Sequence, residues 1–256
     1  MATRPKKKVL RVIFIVSILL FISVAVWFMY KWLMYRQVKF TRYPEFGITI
    51  PNQYTIHGID VSRYQNIIAW EEVKKMKVGE VQLGFTFIKA TEGIGNMDPQ
   101  FQRNWKKAKS NEMIRGAYHF FIASKDGKLQ AENFIKRVEL ETGDLPPVLD
   151  VEQRFGVPKA QLQREVKKWL QTVQAYYGVT PIIYTNVDFY KQNLGSDFDG
   201  YPLWVAHYYQ QEQPRIARNW SFWQHNDQGN VNGITSKVDF NVFSGDSTDF
   251  KSLLVP

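Results

Sequence analysis

The chain has 256 residues, no cysteine, 45% hydrophobic and 15% aromatic residues, and a formal net charge of +9. Disulfides and thiolate-held metals are excluded, and one large core is allowed. Nine of the 33 Lys and Arg residues lie within 1–42 and none of the 24 acidic residues do, so the remainder is balanced at 24 of each and has no bulk positive field to hold nucleic acid.

Residues 1–11 read as a basic cytoplasmic tail, with Arg4, Lys6, Lys7, Lys8 and Arg11. Residues 12–30, "VIFIVSILLFISVAVWFMY", are 19 positions without a charge, enough for a helix across a hydrocarbon core. Trp27, Tyr30 and Trp32 fall where an interfacial belt belongs, and the basic end places the N-terminus inside and the rest outside the cytoplasm. The rival is a cleaved signal peptide, with "SVA" at Ser23–Ala25; the long apolar run continues past that site and favours an uncleaved anchor. Residues 31–54 read as a juxtamembrane linker, because Pro44 and Pro51 disfavour a continuous helix.

Residues 55–256 alternate strand-like and helix-like segments. "TIHGIDVS", "FTFIKAT", "IRGAYHFF", "PPVLDVE", "PIIYTN", "PLWVAHY", "SFWQHND" and "KVDFNVF" are eight strand candidates. Between them, "MDPQFQRNWKKAKSNEM" has Asp98 as helix cap and Pro99 at the first helical position. "PKAQLQREVKKWLQTVQAYYG" puts Leu162, Val166, Trp169, Leu170, Val173 and Tyr177 on one face, with Gly178 to close it. Such alternation predicts a parallel sheet, here an α/β barrel of eight strands with reduced helices in its last third.

Barrels of this kind place chemistry at the C-terminal strand ends. Asp60 ends the first strand, Asp150 and Glu152 end the fourth, and Asp239 lies in the eighth. Asp150 and Glu152 stand two residues apart and therefore point to one side. Two carboxyl groups held together have different pKa values and suit different roles, although a solvated or salt-bridged strand end remains the plainer reading of the spacing alone.

In order and spacing the eight blocks, over about residues 55–246, resemble glycoside hydrolase family 25, the N-acetylmuramidase type of lysozyme. The resemblance implies cleavage of the β-1,4 bond between N-acetylmuramic acid and N-acetylglucosamine in peptidoglycan, without a cofactor. It places active-site carboxylates at Asp60, Asp150, Glu152 and Asp239, with Glu152 as proton donor and Asp150 stabilising the intermediate. Tyr118, Tyr184, Trp204 and Gln224 correspond to groups lining the family's groove. His225, Asn226 and Asp227 depart from the family's pattern and put one groove wall in question. A silent glycan-binding tether and another N-acetylhexosamine hydrolase, such as a chitinase, are the competing functions.

Other features are plainer. His57, His119, His207 and His225 have no metal-site spacing, so no metal is expected. His119 is either a groove residue or a core histidine, and Trp169 reads as core. The expected partners are glycan strands and, through the N-terminal helix, the membrane; the expected state is a monomer.

Overall fold

Eight strands pair edge to edge until the last meets the first. This computed structural model describes residues 5–36, 40–210 and 212–256; Arg4 and Lys39 of the basic flanks lie outside the described residues. The strands are β1 (His57–Val61), β2 (Val81–Glu92), β3 (Ile114–Phe120), β4 (Val148–Asp150), β5 (Ile182–Asn186), β6 (Leu203–Ala206), β7 (Phe222–Gly229) and β8 (Val238–Phe243). Neighbours from β1 to β7 run parallel. β8 runs antiparallel to both β7 and β1, which corrects the expectation of an all-parallel sheet. The reason is reach: residues 230–237 are too few for a parallel crossover, which takes about a dozen residues or more.

The helices are α1 (Pro5–Arg36), α2 (Trp70–Lys75), α3 (Phe101–Ser110), α4 (Gly127–Ile135), α5 (Lys159–Tyr177), α6 (Val187–Phe189) and α7 (Ser247–Leu253). The stripe on α5 is buried as its spacing predicts, with Leu162, Val166, Trp169, Leu170 and Val173 all in the core between strands and helices. Gly178 ends the helix at φ 71°, the left-handed conformation glycine tolerates. The start of α3 is later than expected. Asp98 and Pro99 form a preceding turn instead, in which the Asp98 carboxylate accepts from the Gln100 N–H at 2.9 Å.

The barrel's interior is aromatic. Phe85, Phe87, Trp204, Phe222, Phe243 and Phe250 form one buried cluster with Val148 and Ile182. Phe87 and Trp204 stack at 4.3 Å between centroids. Gly58 and Gly116 make room for these rings: a Cβ would meet Phe85 at 2.5 Å and Phe87 at 2.6 Å.

The chain divides into two units, residues 1–39 and 40–256. Within α1, Val9–Leu33 has a mean hydropathy of 2.9 and no buried part, so it is long and apolar enough to cross a membrane, a description that a signal sequence also meets. The stretch 31–54 differs from the linker expected of it. Residues 31–36 continue α1, and Phe40–Tyr43 pairs with Ile48–Pro51 as an antiparallel hairpin. Phe46, Ile48 and Ile50 are buried in the barrel's outer core, and the Asn230 N–H donates to the Phe46 carbonyl at 2.8 Å. The prolines prevent a helix here, as expected, but alternating apolar residues then find a sheet partner.

Candidate active site

The C-terminal ends of the parallel strands surround a cavity of about 500 Å³. All eight residues expected at the site line it: Asp60, Asp150, Glu152 and Asp239, and Tyr118, Tyr184, Trp204 and Gln224. The antiparallel course of β8 explains how Asp239 arrives. It lies at the start of its strand and pairs in register with Asp60 near the end of β1, so the antiparallel strand brings its beginning to the mouth.

The carboxyl groups form two couples. Asp60 and Asp239 are hydrogen-bonded through their side chains on adjacent strands. Burial pushes Asp60 up to about 6, against hydrogen bonds that favour its charged form. Gln224 Nε2 and Asn241 Nδ2 each donate to Asp60 Oδ2 at 2.8 Å. Burial first, and then the neighbouring Asp60 charge, push Asp239 up to about 9. At neutral pH this couple holds one proton, carried by Asp239 toward Asp60.

The second couple stands three strands around the ring. β4 ends at Asp150, Val151 keeps one more backbone bond to Tyr184 O at 3.0 Å, and Glu152 follows in the loop. The two side chains are hydrogen-bonded to each other. Burial raises both carboxyl groups, Asp150 also through the Glu152 charge, while the Lys89 ammonium acts in the other direction on Asp150. Asp150 Oδ1 is buried and has no nitrogen or hydroxyl donor among the described residues. Both shifts run upward, so this couple holds a proton more tightly than free carboxyl groups do.

The polar floor is braced. Tyr184 and Tyr208 hydroxyls both donate to Gln224 Oε1 at 2.7 Å, which orients the Gln224 amide toward Asp60. Trp204 Nε1 donates to Asn241 Oδ1 at 2.7 Å, orienting the second amide. Trp204 is only 2% exposed and stacked on Phe87, so its contribution is to the floor rather than an open platform. Tyr118 lines the wall, and its hydroxyl stays protonated because of burial and the charges of Asp60, Asp150 and Asp239.

Several lining residues had not been expected: Tyr208, Lys89, Glu92 and, behind the floor, Asn241. Asn241 had a legible signal, since it is two residues beyond Asp239 and therefore on the same side of its strand. His119 resolves as a core histidine. Its Nδ1 is 2.7 Å from Thr91 Oγ1, its ring lies against Trp169, and burial lowers its pKa to about 3. His225 and Asn226 are buried beside a separate cavity under the hairpin, so that departure from the family pattern leaves Gln224 in place.

The glycosyl hydrolases family 25 model matches residues 59–234, most of the barrel. The chain belongs to this family. Similar proteins agree in sequence and in shape. The chain is 48% identical over 211 residues to the protein YegX of Escherichia coli (strain K12), covering 82% of this chain and 76% of that one. It is 31% identical over 218 residues to lysozyme M1 of Streptomyces globisporus, covering 77% and 71%. A family 25 glycosyl hydrolase from Bacillus anthracis superposes with a TM-score of 0.71 at 30% identity, over 79% of this chain and 95% of that one. The family 25 barrel described here is thus a lysozyme-type glycosidase, with the modified strand arrangement and carboxylate-lined mouth in place.

Proposed function

We propose that the protein is a membrane-anchored muramidase that cleaves the β-1,4 bond between N-acetylmuramic acid and N-acetylglucosamine in peptidoglycan. The observation that carries this reading is the pairing of Asp150 with Glu152 across the cavity from Asp60 with Asp239, two hydrogen-bonded carboxyl couples over one braced floor. Lysozyme relatives supply the substrate class.

Glu152 gives its proton to the leaving glycosidic oxygen. It is the less buried member of its couple and stands just past the strand, where substrate reaches it. Asp150 remains beneath it as the charge that steadies the anomeric centre. Asp150 and Glu152 leave one strand on the same side, so they do not flank the scissile bond as a protein nucleophile and acid would. The sugar's own N-acetyl group therefore attacks the anomeric carbon, Asp150 stabilises the resulting oxazolinium, and Glu152 returns as base for the incoming water. Asp60 and Asp239 hold substrate and keep the local charge fixed.

The apolar stretch of α1, 25 residues at about 1.5 Å each, exceeds a hydrocarbon thickness of about 30 Å and serves as an uncleaved anchor. The basic N-terminal end stays in the cytoplasm, and the barrel works outside it as a monomer. A reporter active only outside the cytoplasm, fused after Pro256, should be active.

The deciding experiment is mass spectrometry of peptidoglycan digested by the purified chain, with chitin oligomers in parallel. New reducing-end muramic acid is expected. Reducing-end N-acetylglucosamine, or faster cleavage of chitin, would replace the muramidase reading with another hexosaminidase. Proton NMR of the first product should show retained configuration; initial release of the inverted anomer would remove the acetamido route.

A further inference from the structure

A second cavity of about 380 Å³ opens beside the first. Arg63, Lys89 and Glu92 line both, so the two are continuous at a charged junction. The far wall of the side pocket is a small hairpin in which Thr91 and Glu92 pair with Met97 and Asn96 around the turn at Gly93 and Gly95.

This pocket is built rather than incidental. In a regular strand, residues three apart face opposite sides. A register irregularity between Lys89 and Thr91 breaks that alternation, and Lys89 Nζ meets Glu92 Oε2 at 2.7 Å on the cavity side. Lys89 Nζ also lies 4.7 Å from the centre of the Phe120 ring, which fixes the ammonium at the junction. Behind the hairpin, buried Asn133 donates through Nδ2 to the Gly93 carbonyl at 2.9 Å and the Asn96 carbonyl at 3.2 Å. At the base, Asp98 is 6% exposed and accepts from the Arg63 N–H at 2.9 Å, which ties this wall to the loop after β1. The negative charge of Asp98 is met by backbone donors. The exposed Arg63 guanidinium and the Lys89–Glu92 ion pair face the space.

Resting on the muramidase reading, we infer that this side pocket binds the acidic stem peptide carried by the muramic acid. A linear glycan passing over the carboxylates has no part to place in a branch off the main cavity. Muramic acid has one branch, the lactyl group and its peptide, and that branch offers carboxylates and amides. Arg63 and Lys89 pair with the carboxylates, while Glu92 and the Asn96 amide take peptide N–H and carbonyl groups. The pocket is far larger than a lone carboxylate, so the free lactyl group alone leaves it mostly unfilled. Stem-bearing strands are therefore the preferred substrate, and bare glycan is cleaved at a lower basal rate.

The test compares initial rates of the full chain, in mild detergent, on peptidoglycan strands with stems and on the same strands stripped by an amidase. A charge-assisted contact implies a preference in kcat/KM of about tenfold or more for stem-bearing strands. Gly95→Trp fills the pocket from a position where an added Cβ meets nothing within 4 Å. It should bring the ratio near one by slowing only the stem-bearing substrate. Arg63→Gln should reduce the ratio several-fold, chiefly through KM. Equal wild-type rates on both strands would overturn the stem-binding role while leaving the muramidase reading intact, as would Gly95→Trp slowing both substrates alike. Cleavage of neither strand would remove the muramidase reading and the pocket's role together.

Discussion

Asp239→Asn tests the proton assignment on which the site's charge depends. In the native barrel Asp239 keeps its proton up to about pH 9, whereas the ordinary value is 3.8. Below about pH 4 both native and unfolded chains are protonated there, so wild type and variant should be similarly stable. As pH rises, the unfolded chain releases the proton and the native state retains it until about 9. Each unit in that window lowers wild-type stability by up to about 1.4 kcal/mol, the limit for one proton. From pH 4 to 7 the variant should gain up to about 4 kcal/mol relative to wild type. Asparagine keeps a donor toward Asp60 and removes the titration, so the barrel should remain folded. Urea unfolding at pH 4, 5.5 and 7, read as the stability difference, measures this directly. Parallel wild-type and variant curves would show that the native Asp239 is ionised and that the couple shares no proton.

Glu152→Gln retains the shape of the acid without a transferable proton, and hydrolysis should fall by roughly 10²–10⁴-fold while the barrel stays folded; near-normal turnover would assign the acid elsewhere. Gly127→Ala places a Cβ 1.9 Å from the Glu165 carbonyl oxygen, where α4 begins against α5. It should destabilise the barrel by about 1–3 kcal/mol or more in urea unfolding. A fragment beginning at Phe40 should fold, whereas one beginning at Gln53 loses Phe46, Ile48 and Ile50, each buried side chain contributing about 1.5–3 kcal/mol. The shorter fragment should melt earlier or aggregate, and equal melting temperatures would mean that the hairpin is dispensable.

Strand and helix periodicity made much of the barrel legible. The carboxylate pair at the end of β4 followed from two-residue alternation, and that rule, applied one step further, reaches Asn241 from Asp239. The antiparallel β8 was latent in its short connection. Lys89 and Glu92 were hidden for a physical reason: only the irregularity in β2 brings residues three apart to one side. The hairpin at 40–51 was obscured by its position between a long apolar helix and the barrel, where two prolines read as a tether although Ile48 and Ile50 alternate as a strand does. Tyr208 and Gln224 acquire their arrangement from a tertiary contact, and no local pattern announces the bond between them.

The pairing of β1 with β8 has a consequence in time. Asn241 donates to Asp60 across 181 positions of chain, and Phe250 of α7 packs against Phe85 and Phe222 inside the ring. The strand that closes the barrel and the ring that fills its base are thus made after the other seven strands. Contacts so distant in sequence form late and slowly. A growing chain carries Asp150 and Glu152 long before it carries the partners that set the charge of Asp60. Synthesis therefore completes the site only once β8 has been made, and a chain halted before Val238 should be an unclosed sheet that cleaves no glycan.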